Sequence, residues 1–218
     1  MRPAVAVFVK TPGLSPVKTR LGRALGRRRA ERAYRLAYEC VGRAIADSGL
    51  PGYWAVAEAG GMDDARWAGM PRLAQGPGSL GERMARVIAA LQARHGAGIL
   101  VGADLPQMRA DELRAAARWL HGPAPAHVLG PARDGGFWLY GANIRRHAGA
   151  WTGVPYGAPD TARRFVRAMG HGRWKRMARR TDLDRAGDIP GVLSELRALD
   201  TPSPVQRRLA DWLATLPE

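Results

Sequence analysis

Two short apolar runs constrain the fold more than anything else in this chain: Ala4 to Val9 near the beginning and Gly98-Ile99-Leu100-Val101 near the middle. Neither alternates polar with apolar residues, and both are rich in β-branched side chains. That pattern reads as strands covered on both faces, the situation of an interior strand in a parallel sheet. Each run ends abruptly in a polar, glycine- and proline-bearing loop. Between and after them lie helical stripes. Arg28 to Asp47 carries Ala30, Ala33, Leu36, Ala37, Cys40, Val41, Ala44 and Ile45 at three- and four-residue steps, and Leu80, Met84, Val87, Ile88 and Leu91 repeat the pattern up to His95-Gly96.

Shorter segments complete the alternation. Strands are expected over Tyr53 to Ala57, Leu73 to Gln75, about His127 to Leu129, the aromatic part of the DGGFWLYG segment, and Trp174 to Ala178. Helices are expected over Ala110 to Leu120, Thr161 to Met169, Pro190 to Ala198 and Pro204 to Leu213. Strands alternating with helices imply an α/β domain with a mostly parallel sheet flanked by helices. At 218 residues with 46% apolar content the chain has the material for one core, and no linker divides it, so residues 1–218 are expected to form a single domain. A single cysteine, Cys40, rules out an intrachain disulfide and falls on the apolar face of its helix. No apolar run approaches the roughly 20 residues of a membrane span, and no signal-peptide plan precedes the first strand, so a soluble, cytoplasmic protein is expected.

The loop after the first strand, FVKTPGLSPVKTRL from Phe8 to Leu21, is chemically the most pointed stretch. Lys10, Lys18 and Arg20 supply cations, Pro12 and Pro16 break regular pairing, and Gly13 permits backbone conformations other residues resist. Only three lysines occur in the chain, and two of them, Lys10 and Lys18, are here while the third is Lys175. An ammonium is a point charge and a guanidinium a planar fork, so the choice of lysine in an arginine-rich chain fits a crowded phosphate site. Ordinary solvated loop charges are the plainer alternative. A P-loop is excluded, because Val17 stands where a glycine should precede Lys18 and Pro16 removes an N–H from the cradle.

The formal charge of +15 favours anionic ligands. The arginines are nevertheless dispersed, with only Arg27-Arg28-Arg29 as a block, and no helix-turn-helix, zinc-finger or aromatic RNA-binding signature accompanies them. Dedicated nucleic-acid binding is therefore not expected.

Further along, Asp104 follows the second buried strand in Gly102-Ala103-Asp104-Leu105-Pro106, where the carboxyl edge of a sheet opens into a ligand crevice. A lone carboxylate there suits Mg²⁺ or Mn²⁺ that is otherwise held by water and substrate phosphates. The alternative, a cap for the next helix, is weakened because Asp111 is better placed for that role. Gly76 to Met84 is a glycine-rich strand-to-helix passage that serves either a nucleotide or a plain turn. Asp134-Gly135-Gly136 before Phe137-Trp138 fits a tight hairpin or a substrate pocket. Asp182 and Asp184 could give a second metal contact or simply face water. The five histidines show no metal spacing, and no G-x-S-x-G or Cys-His pairing supports nucleophilic hydrolysis.

Taken in order, FVKTPGLSPVKTRL, GSLGERM, GADLPQM, GPARDGGFWLYG and DLDRAGDI resemble the bacterial DUF2064 group of the nucleotide-diphospho-sugar transferase superfamily over nearly the whole chain. That group has the GT-A fold and is often described as glycosyltransferases, in places linked to arsenosugar biosynthesis. The opening loop is also similar to that of 2-phospholactate guanylyltransferases and, more distantly, molybdenum-cofactor guanylyltransferases. The resemblance implies that Lys18 and Arg20, with Lys10, hold a triphosphate. It also implies that Asp104 holds the metal, and that Gly78, Gly81 and Arg83 face the base or ribose. Three positions depart from the pattern: Ser79 replaces Asp, Val154-Pro155-Tyr156-Gly157-Ala158 replaces Pro-Trp-Ser/Thr, and Asp184-Arg185-Ala186-Gly187-Asp188 replaces Asp-Thr-Pro-Glu-Asp.

The expected reaction is nucleotidyl transfer from a nucleoside triphosphate to a small anionic acceptor with release of pyrophosphate, catalysed by Lys18, Arg20 and metal-bearing Asp104. The rival is glycosyl transfer from a nucleotide sugar, with Asp134 as base toward an acceptor hydroxyl, and a third reading is a non-catalytic nucleotide-binding domain.

Overall fold

The computed structural model describes residues 2–216. Seven strands are present: β1 (Ala4–Val9), β2 (Gly52–Val56), β3 (Arg72–Ala74), β4 (Gly98–Gly102), β5 (Ala126–Pro131), β6 (Phe137–Ala142) and β7 (Arg173–Arg176). Eight α-helices accompany them: α1 (Thr19–Leu25), α2 (Arg27–Ser48), α3 (Leu80–His95), α4 (Ala110–Leu120), α5 (Ala148–Thr152), α6 (Thr161–Met169), α7 (Ile189–Arg197) and α8 (Pro204–Leu213). The strands form one sheet in the order β3-β2-β1-β4-β6-β5-β7. All run the same way except β6, which is antiparallel to both β4 and β5.

The apolar runs are central because both of their faces are needed. Val5, Val7 and Val9 point into a cluster with Tyr34, Tyr38 and Val41 of α2 and Leu113 and Ala116 of α4. Ala4 and Ala6 point the other way, against Met84, Val87, Ile88 and Leu91 of α3. Each fully buried valine contributes about 1.5–3 kcal/mol, which a half-exposed strand would forfeit. A third cluster joins the outer face of α2 to Leu21 of α1 and to Leu183, Val192, Leu196, Leu209 and Leu213 of the C-terminal segment. Cys40 belongs to this layer and is buried.

The differences from sequence expectation are local. Helix α1, only seven residues long, was not signalled, because its stripe reduces to one buried residue, Leu21. The last strand is Arg173–Arg176 rather than Trp174 to Ala178. Asp111 is not the cap of α4. Arg109 holds that position, its backbone N–H donating to Glu112 at 3.0 Å, while Asp111 in the first turn pairs with the Arg109 guanidinium.

The order of strands places the site. From β1 the chain moves outward through β2 to β3, then returns to the other side of β1 as β4. The carboxyl ends of β1 and β4 therefore flank the point where the winding reverses, and a crevice opens between the loops that leave them.

Candidate functional site

The loop leaving β1 is braced from several sides. The Tyr34 hydroxyl accepts from the Lys10 backbone N–H at 2.8 Å and donates to the Lys10 carbonyl at 3.0 Å. Glu58 accepts from the Thr11 N–H at 2.8 Å, the Trp67 indole donates to the Thr11 hydroxyl at 3.1 Å, and Arg66 donates to the Pro12 carbonyl at 2.7 Å. Burial pushes the Tyr34 phenol well above its ordinary range, so it stays protonated and able to donate.

At the loop's far end Lys18 is the one non-glycine residue with positive φ among the described residues, at φ 48° and ψ 41°. A left-handed conformation costs an L-residue roughly 1–2 kcal/mol and persists only where the surroundings hold it. Here they do. The Lys18 ammonium lies 2.5 Å from Asp104 Oδ1 and donates to the Leu183 carbonyl, with its side chain 2% exposed. Three separate stretches of sequence thus converge on one ammonium.

The Asp104 loop is fixed from below. The Asp104 carbonyl accepts from the Leu183 N–H at 2.9 Å. The buried Gln107 amide donates to the Thr181 carbonyl and to Glu195, and the Gln206 amide donates to the carbonyls of Pro106 and Met108. The C-terminal helices α7 and α8 therefore act as a buttress for the carboxylate, a role that sequence patterning did not indicate.

A cavity of about 570 Å³ lies between these loops. Its lining includes Lys10, Lys18, Arg20, Arg83, Gly78, Asp104 and Asp184, so most of the basic and acidic candidates share one hollow. Arg20 at its rim donates to Asp184 at 2.8 Å, a hydrogen bond and charge pairing that hold the guanidinium charged. Tyr34 and Gln75 also line it. The buried Gln75 amide donates to the carbonyls of Val9 and Ala55, tying β1 to β2 at their carboxyl ends. Neither residue carried a sequence signal, since Tyr34 lies within the expected helix outside the stripe read there and Gln75 reads as a strand end.

Some expected residues lie elsewhere. Gly13 lines an adjoining groove with Arg23 and Arg27, which meets the cavity along Pro16, Val17, Lys18 and Thr19. Gly81 packs against α5, where an added Cβ would stand 2.4 Å from the Trp151 carbonyl, so its lack of a side chain serves helix packing. Ser79 caps α3, accepting from the Glu82 N–H while Glu82 accepts from the Ser79 N–H at 2.7 Å, which gives this departure from the family pattern a local role. Asp134 accepts from the Gly136 N–H at 2.8 Å, and Gly135 at φ +93° sits so close to the Pro159 carbonyl that only glycine fits. Gly136 borders a second chamber beside Asp104.

Among the described residues no group of three or more His, Cys, Asp or Glu side chains is arranged to cage a metal ion. The donor set is nevertheless compatible with a hard divalent cation held partly by substrate. The half-buried Asp182 carboxyl is pushed up to about 8 by burial and by the Asp104 and Asp134 charges, which Lys18 only partly offsets. Three acidic side chains thus gather near Lys18: Asp104 paired with Lys18, Asp184 paired with Arg20, and Asp182 without a cation of its own among its contacts of the described residues. An ion resting on Asp104, with Asp182 and Asp184 nearby and phosphate oxygens completing its shell, fits that arrangement.

This architecture is the nucleotide-diphospho-sugar transferase fold. A candidate nucleotide-diphospho-sugar transferase from Desulfovibrio desulfuricans G20 superposes with a TM-score of 0.78 at 23% identity, over 97% of this chain and 96% of the other. A CMP:2-keto-3-deoxy-manno-octonic acid synthetase solved with CTP gives 0.50 at 13% identity, over 91% and 98%. Rv0371c of Mycobacterium tuberculosis H37Rv, solved with manganese, gives 0.51 at 12% identity, over 99% and 100%. Residues 40–158 match the model of DUF2064, described as an uncharacterized protein conserved in bacteria, and the chain belongs to that family. No curated protein matches it. No helix among the described residues is long and apolar enough to cross a membrane.

Proposed function

We propose that this chain is a divalent-metal-dependent nucleotidyltransferase, acting on a nucleoside triphosphate. The observation that carries the reading is the single cavity at the β1–β4 switch point where Lys10, Lys18, Arg20 and Arg83 stand with Asp104. Four cations around one hollow match a triphosphate better than the two phosphates of a nucleotide sugar. Lys18 and Arg20 bind and orient the phosphates and neutralise the charge that builds on the leaving pyrophosphate. The acceptor oxygen forms a bond to the α-phosphorus as the bond to the bridging β-phosphate oxygen breaks. Pyrophosphate leaves with that electron pair, and the proton shed by a hydroxyl acceptor passes to water. A bound Mg²⁺ or Mn²⁺, held by Asp104 with Asp182 or Asp184, supplies further charge neutralisation. The CTP-bound and manganese-bound relatives of the same fold support a nucleotide and a metal as ligands.

One observation favours a second reading, glycosyl transfer from a nucleotide sugar: the chamber beyond Asp104 offers room for a sugar ring next to the phosphate site. The Desulfovibrio desulfuricans protein of the same fold is a candidate for that class. Thermal-shift titration with triphosphates, diphosphates and nucleotide sugars, each with and without Mg²⁺, discriminates the two. Nucleotidyl transfer predicts metal-dependent stabilisation by a triphosphate and pyrophosphate release on turnover. Consumption of a nucleotide sugar to free diphosphate, with no pyrophosphate from any triphosphate, overturns it.

A further inference from the structure

Beyond Asp104 the cation-bearing cavity meets the second chamber, of about 310 Å³, and the two share Phe8, Leu80, Ala103 and Asp104. Their walls differ in kind. The first carries four cations, whereas among the described residues no lysine or arginine lines the second, whose walls include Phe8, Leu80, Met84, Phe137, Trp138 and Tyr156. The polar handles on those walls are already engaged. The Trp138 indole donates to the Ala178 carbonyl at 3.1 Å, the Tyr156 hydroxyl donates to the Trp151 carbonyl at 2.8 Å, and the Thr161 hydroxyl shares its one proton between the Pro155 and Ala158 carbonyls while accepting from the Ala158 N–H. Among the described residues the side chains left facing the chamber are therefore mainly apolar, with Asp104 as the one charged group and the backbone of Gly102, Gly136 and Gly157 as the remaining polar wall.

Leu80 adds an independent sign. It is 48% exposed at the first turn of α3, on the border between the two spaces, and only Leu14 rivals it among large exposed apolar side chains of the described residues. A leucine left uncovered beside a polar crevice has no packing reason to be there. It does supply a contact for an apolar ligand surface.

We infer that the chamber binds the acceptor, and that the acceptor is an uncharged alcohol with an apolar face, one ring in size. An anion placed there would lose its water, find no counter-ion, and face the Asp104 carboxylate. An apolar ring loses nothing by desolvation, and its hydroxyl can reach toward the phosphates beside Asp104. The volume lies at the low end of small-molecule pockets, about 300 Å³ and upward. This inference rests on the transferase reading of the neighbouring cavity, and it replaces the anionic acceptor expected from net charge.

The test is titration calorimetry of the full chain with methyl β-glucoside, an uncharged one-ring probe, and glucose 1-phosphate, an anionic probe built on the same sugar ring. Each is titrated with and without saturating Mg²⁺ and a non-hydrolysable triphosphate, into the wild type, Leu80→Ser and Phe137→Leu. The glucoside is expected to bind whether or not the triphosphate is present, and about tenfold more weakly in Leu80→Ser. Glucose 1-phosphate is expected to bind only the triphosphate-free protein, with no response to Leu80→Ser. No glucoside binding to the wild type, equal glucoside affinity in all three proteins, or glucose 1-phosphate binding beside the triphosphate would each overturn the inference. A separate titration of the triphosphate with Mg²⁺ into the same wild-type protein reads triphosphate binding on its own. Glucoside binding in a protein that takes no triphosphate sinks the transferase reading and leaves the chamber assignment standing.

Discussion

Replacing Lys18 with methionine isolates the charge at the junction of the three converging segments. Methionine keeps the length and the left-handed backbone penalty, so only the ammonium is lost. Breaking a fully buried ion pair costs about 3–5 kcal/mol. The Asp104 side chain is 44% exposed, so water takes over much of its solvation, and a loss nearer ~1–2 kcal/mol is expected. For a chain of this size that corresponds to a fall in Tm of roughly 2–8 °C. The effect on ligand is larger. A charge-assisted hydrogen bond to phosphate is worth about 1.5–3 kcal/mol, so triphosphate affinity should fall about tenfold to a hundredfold. The control is Lys175→Met, since that ammonium lies over the Trp119 ring on the far strand of the sheet. Calorimetric titration with a triphosphate and Mg²⁺ measures both. Equal affinities in the two variants would refute the reasoning, as would a Lys18→Met protein that binds as the wild type does.

Three other perturbations bear on the account. Asp104→Asn should abolish the Mg²⁺-dependent part of triphosphate stabilisation while leaving the metal-free part; a thermal-shift series in Mg²⁺ checks this, and undiminished metal dependence would remove Asp104 from the metal's ligands. Gly135→Ala forces a Cβ to within 1.9 Å of the Pro159 carbonyl at a positive φ, so a loss of more than about 1 kcal/mol is expected in denaturant unfolding, with triphosphate binding retained. His127 is fully buried between Tyr140, Trp174 and Arg146, and burial lowers it to about 4 from its ordinary 6.5. A depressed histidine gives stability that is complete above pH 6.5 and lost as pH falls toward 4, by up to ~3 kcal/mol. Melting curves over that range should flatten in His127→Gln, and an unchanged slope would assign the acid sensitivity to other groups.

The sheet was legible in the sequence because its interior strands must be apolar on both faces, as the buried Val5, Val7, Val9, Ile99 and Val101 are. Long helices were legible for the related reason that α2 and α3 bury regular stripes. Helix α1 and the short α5 escaped notice because one or two buried residues make no period. Within the site, charged and glycine-flanked residues announced themselves, and Lys10, Lys18, Arg20, Arg83, Asp104 and Asp184 meet in one cavity. Residues that hold them in place did not. Tyr34, Gln75, Gln107 and Gln206 work through hydrogen bonds to backbone groups distant in sequence, and periodicity carries no trace of such partners. Glycine signals were ambiguous for a physical reason: Gly78 borders the cavity, whereas Gly81 and Gly135 are required by close backbone approaches at Trp151 and Pro159.

The most direct test of the central claim is a crystal structure with Mn²⁺ and a non-hydrolysable nucleoside triphosphate, read by the anomalous signal of the metal. The account predicts an anomalous peak on the Asp104 carboxylate, with the phosphates between it and Lys10, Lys18 and Arg20. A triphosphate seated in the adjoining groove beside Gly13, Arg23 and Arg27 and away from Asp104, or a metal with no contact to Asp104, would contradict it.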